Sequence, residues 1–201
     1  MPVHADRILD GALACIARVG VAKTTLDDVA REAGCARATV YRCFPGRRAL
    51  LRAVLDREIA DLAVRLSGAA SEADNLADAV VAVVVEAAAA FRAHAALAFV
   101  LAFEPELVAA QLSFDRGSAL LLAAAALVAP AFTRFLPPAR ASRLGEWVAR
   151  LTLAYLCNPS DRVQLDDPAH VRALVVNHIL PSVIRTTSTF VSVTTGEGVS
   201  Q

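Results

Sequence analysis

Residues 21–51 read VAKTTLDDVAREAGCARATVYRCFPGRRALL, and this stretch decides the fold. Thr25 stands where a helix N-cap would accept a backbone N–H, and Asp27 and Asp28 follow in the first turn, where the helix dipole favours acid. Gly34 ends that helix after about two turns. After only Cys35 and Ala36 a second short helix is expected over Arg37–Phe44, closed by Pro45-Gly46. Two short helices across a glycine turn make a helix-turn-helix. Helical periodicity turns Val29, Ala33, Val40 and Phe44 inward and leaves Arg37, Ala38, Tyr41 and Arg42 on the opposite face. That outer face carries two guanidinium groups and a phenol.

Upstream, Ile8, Ala12, Cys15, Ile16 and Val19 recur at helical spacing over Asp6–Val19, with Gly20 as the stop. Downstream, a long helix is expected from Arg47 to about Leu66. Its apolar stripe reads Leu51, Leu55, Ile59, Leu62 and Leu66, with Arg52–Asp56 and Arg57–Asp61 as i, i+4 ion pairs on the other face. Ser67–Ser71 is the expected domain boundary. Helices are then expected over Asp74–His94, Ala95–Phe103 and Pro105–Phe135, the last ended or kinked at Pro130. Another runs from Ala139 to Leu156, stopped by Asn158-Pro159, and a final one is opened by Pro168 at its first position. The Thr- and Ser-rich end, residues 186–201, reads as a frayed tail.

Composition agrees with an all-helical protein. The 201 residues are 56% hydrophobic with mean hydropathy +0.50, 43 are alanine, and aromatics make up only 5%. Alanine is the best helix former, while β-branched and aromatic residues would be needed for a sheet protein. Zero net charge hides a split: residues 1–60 hold ten Arg or Lys against seven Asp or Glu, and the remainder ten against thirteen. A basic first third is compatible with a polyanionic partner. Gly117–Thr133 is an uncharged run of 17 residues, diluted by alanine and broken at Pro130, and reads as a core helix rather than a membrane span. The N-terminal MPVHADR has neither a basic nor an apolar leader region, so a cytoplasmic location is expected.

Chemistry of the enzymatic kind is not indicated. There is no GxGxxG, GxxxxGK, GxSxG or HExxH, and no catalytic residue is assigned. Cys15, Cys35, Cys43 and Cys157 form no CxxC pair and lie far from the four histidines, so neither metal nor other cofactor is expected.

Residues 21–51 resemble the DNA-binding domain of the TetR family of transcriptional regulators. The resemblance is carried by Thr24-Thr25, Val29-Ala30, Ala33-Gly34, Thr39-Val40-Tyr41, Phe44-Pro45 and Ala49-Leu50-Leu51. It implies an N-terminal helix-turn-helix domain (residues 1–48), a helical ligand-binding and dimerisation domain (49–185) and the tail (186–201). It also implies that Thr25, Arg37, Ala38, Thr39, Tyr41, Arg42 and Arg47 lie where that family meets duplex DNA. Arg37 and Arg42 suit either guanine O6/N7 or phosphates. Thr25 and Arg47 suit phosphates, and Tyr41 suits a ring laid along the backbone with its hydroxyl on a phosphate. Departures from the family pattern are Ala36, where a capping Ser or Thr is usual, Cys43, and Gly46-Arg47. The missing cap costs about 0.5–2 kcal/mol.

The same resemblance implies a palindromic operator bound by a homodimer through helices near 139–157 and 168–184, and release by a small-molecule effector. The apolar character of residues 76–135 points to a hydrophobic effector. Pocket candidates are Phe91, His94, Phe99, Phe103, Gln111, Trp147 and Tyr155, with Glu104 as a further polar group. The alternative readings are a non-catalytic helical adaptor and a redox-sensing regulator acting through Cys43.

Overall fold

The computed structural model describes residues 2–104, 106, 117–161 and 163–181. All regular elements among them are helical: α1 (Pro2–Lys23), α2 (Leu26–Glu32), α3 (Arg37–Cys43), α4 (Arg47–Ser71), α5 (Leu76–Ala93), α6 (Ala95–Phe103), α7 (Gly117–Val128), α8 (Pro138–Cys157) and α9 (Pro168–Leu174). A short 3₁₀ turn at Ala129–Phe132 follows α7, and a π-helical turn at Val175–Ile179 continues α9. The all-α expectation therefore holds. The tail at 186–201, and Gln111, lie outside the described residues.

Two hydrophobic cores organise the chain. The first joins Ile8, Ala12 and Cys15 of α1 to Val29 of α2, Val40 of α3 and Leu50 and Val54 of α4, with Phe44 packed at its edge. The inward set read from periodicity is the observed one. The second core gathers Leu66 and Ala70 of α4, Val80 and Val83 of α5, Phe132, Leu144 and Val148 of α8, and Val171 and Val175. Helix α4 supplies both. It runs to Ser71, so the expected boundary at Ser67–Ser71 is helical.

Its buried stripe also differs from the expected one. Leu50 and Val54 go inward, whereas Leu55 and Ile59 are exposed, because the helix's N-terminal half turns one position earlier toward α1. Arg52 pairs with Asp56 at 2.9 Å as expected. Arg57 does not pair with Asp61: its guanidinium reaches across to Asp10 of α1 at 2.8 Å and lies 3.4 Å from Glu58.

Helix boundaries follow local chemistry. Thr25 caps α2 by accepting the Asp28 N–H at 3.2 Å, and Asn75 does the same for α5, accepting the Asp78 N–H at 3.0 Å. Asp167 accepts the Ala169 N–H at the head of α9, one residue before the expected Pro168. Gly20 (φ 85°, ψ 171°) breaks α1 where a stop was expected, and a final turn continues to Lys23. Helices α5 and α6 meet at His94 with a bend of 74°. No single helix among the described residues is long and apolar enough to cross a membrane.

Candidate nucleic-acid interface

Helix α3 lies on the first core through Val40, which is fully buried, and turns Arg37, Ala38, Tyr41 and Arg42 to solvent. Gly34 at φ 60° makes the turn that sets α3 against α2, a backbone state at which a side chain would be strained. Ala36 occupies the cap of α3 and makes no side-chain cap hydrogen bond, as its identity requires. Thr39 is half-buried, so among the expected contacts it presents the least surface.

The exposed side chains are ordered against one another. Arg37 Nε lies 2.8 Å from Asp27 Oδ1, an ion pair joining the first residue of α3 to the first turn of α2. Arg37 Nη2 donates to the Tyr41 hydroxyl at 3.3 Å, and its guanidinium carbon stands 5.4 Å from the Tyr41 ring centroid. The bond to Tyr41, and then the Asp27 charge, hold the Arg37 proton more tightly than usual. Tyr41 is 43% exposed, and because its oxygen is the acceptor from Arg37, its own hydroxyl proton is available to a phosphate. Arg42 is exposed and, among the described residues, has no hydrogen-bond or ion-pair partner.

Two of the expected phosphate residues have structural employment. The Thr25 hydroxyl donates to Asp28, which, together with Arg31, holds the Asp28 carboxyl below its ordinary range. Arg47 donates from Nε to the Thr24 carbonyl at 2.9 Å and from Nη2 to the carbonyls of Val21 and Ala22, capping the last turn of α1 with the first residue of α4. It remains exposed at the edge of the α3 face.

Behind this face lies a junction that sequence reading placed elsewhere. Glu104, expected as a polar group of the pocket, is only 8% exposed and accepts the Val21 N–H at 2.7 Å and the Ala22 N–H at 2.8 Å. It ties the end of α6 to the end of α1. A Cβ on Gly20 would stand 2.6 Å from Glu104 Oε1 and 2.8 Å from Phe99 Cε1, so only glycine lets the carboxylate come this close. Asp27 and Glu104 were missed as partners for the same reason: their contacts are ten and more than eighty residues away in sequence. The one legible signal was an acid closing the uncharged run that follows Arg92.

The expected pocket residues within the described range lie on α5, α6 and α8 and at the α5–α6 junction. Phe99 and Phe103 form a ring pair with centroids 4.7 Å apart, though Phe103 is 70% exposed. Phe91 is half-buried at the end of α5. His94 caps α6: its Nδ1 accepts the Leu97 N–H at 3.1 Å, which leaves Nε2 as the donor to Glu58 at 3.2 Å. Trp147 is exposed on α8. Tyr155 packs on the second core and lines an open cleft of about 510 Å³ with Asn158, Pro159 and Asp161. Among the described residues no group of His, Cys, Asp and Glu is arranged to hold a metal ion.

A helix-turn-helix with a basic and phenolic outer face, mounted on a larger helical body, is the architecture of the helix-turn-helix class of folds. Residues 8–54 match the family described as bacterial regulatory proteins, tetR family. An uncharacterized HTH-type transcriptional regulator of Mycobacterium tuberculosis is 43% identical over 56 residues, 28% of this chain and 30% of that protein. The chain thus aligns with under a third of that relative's length. A second uncharacterized HTH-type regulator of the same organism is 28% identical over 182 residues, covering 89% of this chain and 85% of the relative. The crystal structure of the TetR family repressor AlkX from Dietzia sp. superposes with a TM-score of 0.64 at 18% identity, covering 90% of this chain and 95% of that one. Residues 8–54 are thus a tetR-type helix-turn-helix domain, and the chain as a whole has the fold of that solved structure.

Proposed function

We propose that the protein is a cytoplasmic, ligand-responsive repressor that binds a palindromic operator as a homodimer and is released by a hydrophobic small molecule. The observation that carries the DNA-binding part is the α3 face, where Arg37, Ala38, Tyr41 and Arg42 stand exposed over a buried Val40. Thr25, Thr39 and Arg47 flank it and complete the proposed contact set. In this reading residues 1–48 form the DNA-binding domain and 49–185 the ligand-binding and dimerisation domain. Helices 139–157 and 168–184 are the proposed dimer interface, and each leaves an apolar side chain exposed, Trp147 on α8 and Val176 beyond α9.

The effector acts as follows. A palindrome requires the two recognition helices to sit about 34–36 Å apart or at a multiple of that distance, so a small rotation of each first core lowers affinity. Helix α4 belongs to both cores and α6 is bonded to α1 through Glu104, which supports a route from Phe91, His94, Phe99, Phe103, Trp147 and Tyr155 to α3.

The test is an anisotropy titration of the purified protein against the DNA upstream of its own gene, with a scrambled duplex as control and salt varied. Specific binding whose affinity falls steeply with salt is the expected result. Binding no tighter than to the scrambled duplex, persisting after unfolding, ligand removal and refolding, would refute the reading.

A further inference from the structure

We infer that Arg37 reads a guanine edge while Arg42 holds a phosphate, and that Asp27 is the positioning residue that assigns Arg37 to the base. The inference rests on the DNA-binding reading above and deepens it.

The two arginines share one face of α3 but differ in state. Arg37 has its Nε on Asp27 and one Nη2 hydrogen on Tyr41; Arg42 has no partner among the described residues. A guanidinium has five N–H donors. With one Nη2 hydrogen on Tyr41 and Asp27 held as an ion pair beside Nε, Arg37 keeps both Nη1 hydrogens and one on Nη2. Two parallel donors at that end match O6 and N7 of guanine. Nothing in this recognition needs net charge.

A phosphate contact does. The Asp27 carboxylate offsets the Arg37 charge at 2.8 Å, and a phosphate drawn to Arg37 would be brought close to that carboxylate. Arg42 carries its charge uncompensated and attracts phosphate without this opposition. Order favours the same division. Arg37 is tethered by the Asp27 ion pair and the Tyr41 bond, so it has less rotamer freedom to lose on binding than Arg42, and the neighbouring exposed Ala38 leaves room for a base pair to approach. Asp27 thereby selects what Arg37 can read, though it has no donor to offer DNA itself.

The test is selection of binding sequences from a random duplex pool with the full-length protein, followed by affinity against salt on the selected site. It is run on the unaltered chain, Arg37→Ala, Arg42→Ala, Asp27→Asn and Asp27→Glu, each checked for helicity. Arg37→Ala is expected to erase a guanine preference at one position of each half-site, lowering discrimination there by roughly 5- to 150-fold, with little change in the salt slope. Arg42→Ala is expected to weaken binding to all sequences and to reduce the slope by about 0.9 for each chain bound. Asp27→Asn should lose guanine preference and steepen the salt dependence, as Arg37 moves to phosphate, and Asp27→Glu should restore part of the preference.

The proposal is overturned if Arg37→Ala reduces the slope and leaves the base profile unchanged. It is overturned for Asp27 if Asp27→Asn keeps the guanine preference of the unaltered chain. Failure of the unaltered chain to enrich any sequence is a different result, and would remove the DNA-binding reading itself.

Discussion

Replacing Glu104 by alanine should loosen the junction between the two cores, and the size of the effect can be worked from its geometry. The carboxylate is buried and accepts two backbone N–H groups, at 2.7 and 2.8 Å, in the turn after Gly20. A net hydrogen bond to a charged acceptor contributes about 1.5–3 kcal/mol, and both are lost together. Val21 and Ala22 are not deeply buried, so water recovers part of this, and the expected loss is about 2–4 kcal/mol. Urea unfolding followed by circular dichroism would read it as a midpoint lowered by about 1–2 M at an ordinary slope. Glu104→Gln keeps one accepting oxygen and should lose about half as much. Gly20→Ala provides the complementary test, because its new Cβ would meet Glu104 Oε1 at 2.6 Å and Phe99 Cε1 at 2.8 Å in a backbone state suited to glycine. Combined with Glu104→Ala, the glycine change should cost less than alone, a coupling of about 0.5–3 kcal/mol. Additive effects, or a Glu104→Ala change under about 0.5 kcal/mol, would show that the carboxylate does not bind the two helices together.

Further outcomes follow from other contacts. The double change Tyr41→Ala with Arg42→Ala should abolish operator binding in a gel shift while leaving helicity and dimerisation intact; unchanged affinity would refute the choice of reading face. Gly145→Ala should destabilise by about 1–3 kcal/mol in thermal unfolding, because its Cβ would stand 2.9–3.0 Å from backbone atoms of Ala125 and Ala129 and force α8 away from the end of α7. Asp28 is held below its usual value of about 3.9, chiefly by the Thr25 hydroxyl. Its contribution is therefore complete above that value and lost as pH falls through the lower folded-state value. Asp28→Asn should lower stability at pH 7, and the difference should shrink as pH falls below the ordinary carboxylate range, as read by urea midpoints. Burial pushes the Cys15 thiol up and encloses it, whereas Cys157 is exposed. Under native conditions iodoacetamide should label Cys157 and should label Cys15 only on unfolding, which mass spectrometry of tryptic peptides would show.

Local chemistry made much of this molecule legible before any coordinates. The helix-turn-helix could be read because its determinants act within a few residues: Thr25 caps through Asp28, Gly34 turns the chain, and Val29, Ala33 and Val40 recur at the helical period. The all-helical class, the Gly20 break and the Pro168 opening of α9 are of the same local kind. Periodicity failed where it had to choose among apolar positions on α4. Leu51, Leu55 and Ile59 make as good a stripe as Leu50 and Val54, and only the position of α1 decides which is covered. Side-chain partners lay further out of reach. Arg57 prefers Asp10 of another helix to Asp61 one turn on, Asp27 reaches Arg37 across the turn, and Glu104 closes on Val21 and Ala22 from the end of α6. Helix formation and capping depend on neighbours in sequence, so composition and spacing determine them. Which charged groups end up paired, and therefore which arginine on the reading face keeps a free charge, depends on how whole helices pack, and only the tertiary structure decided that.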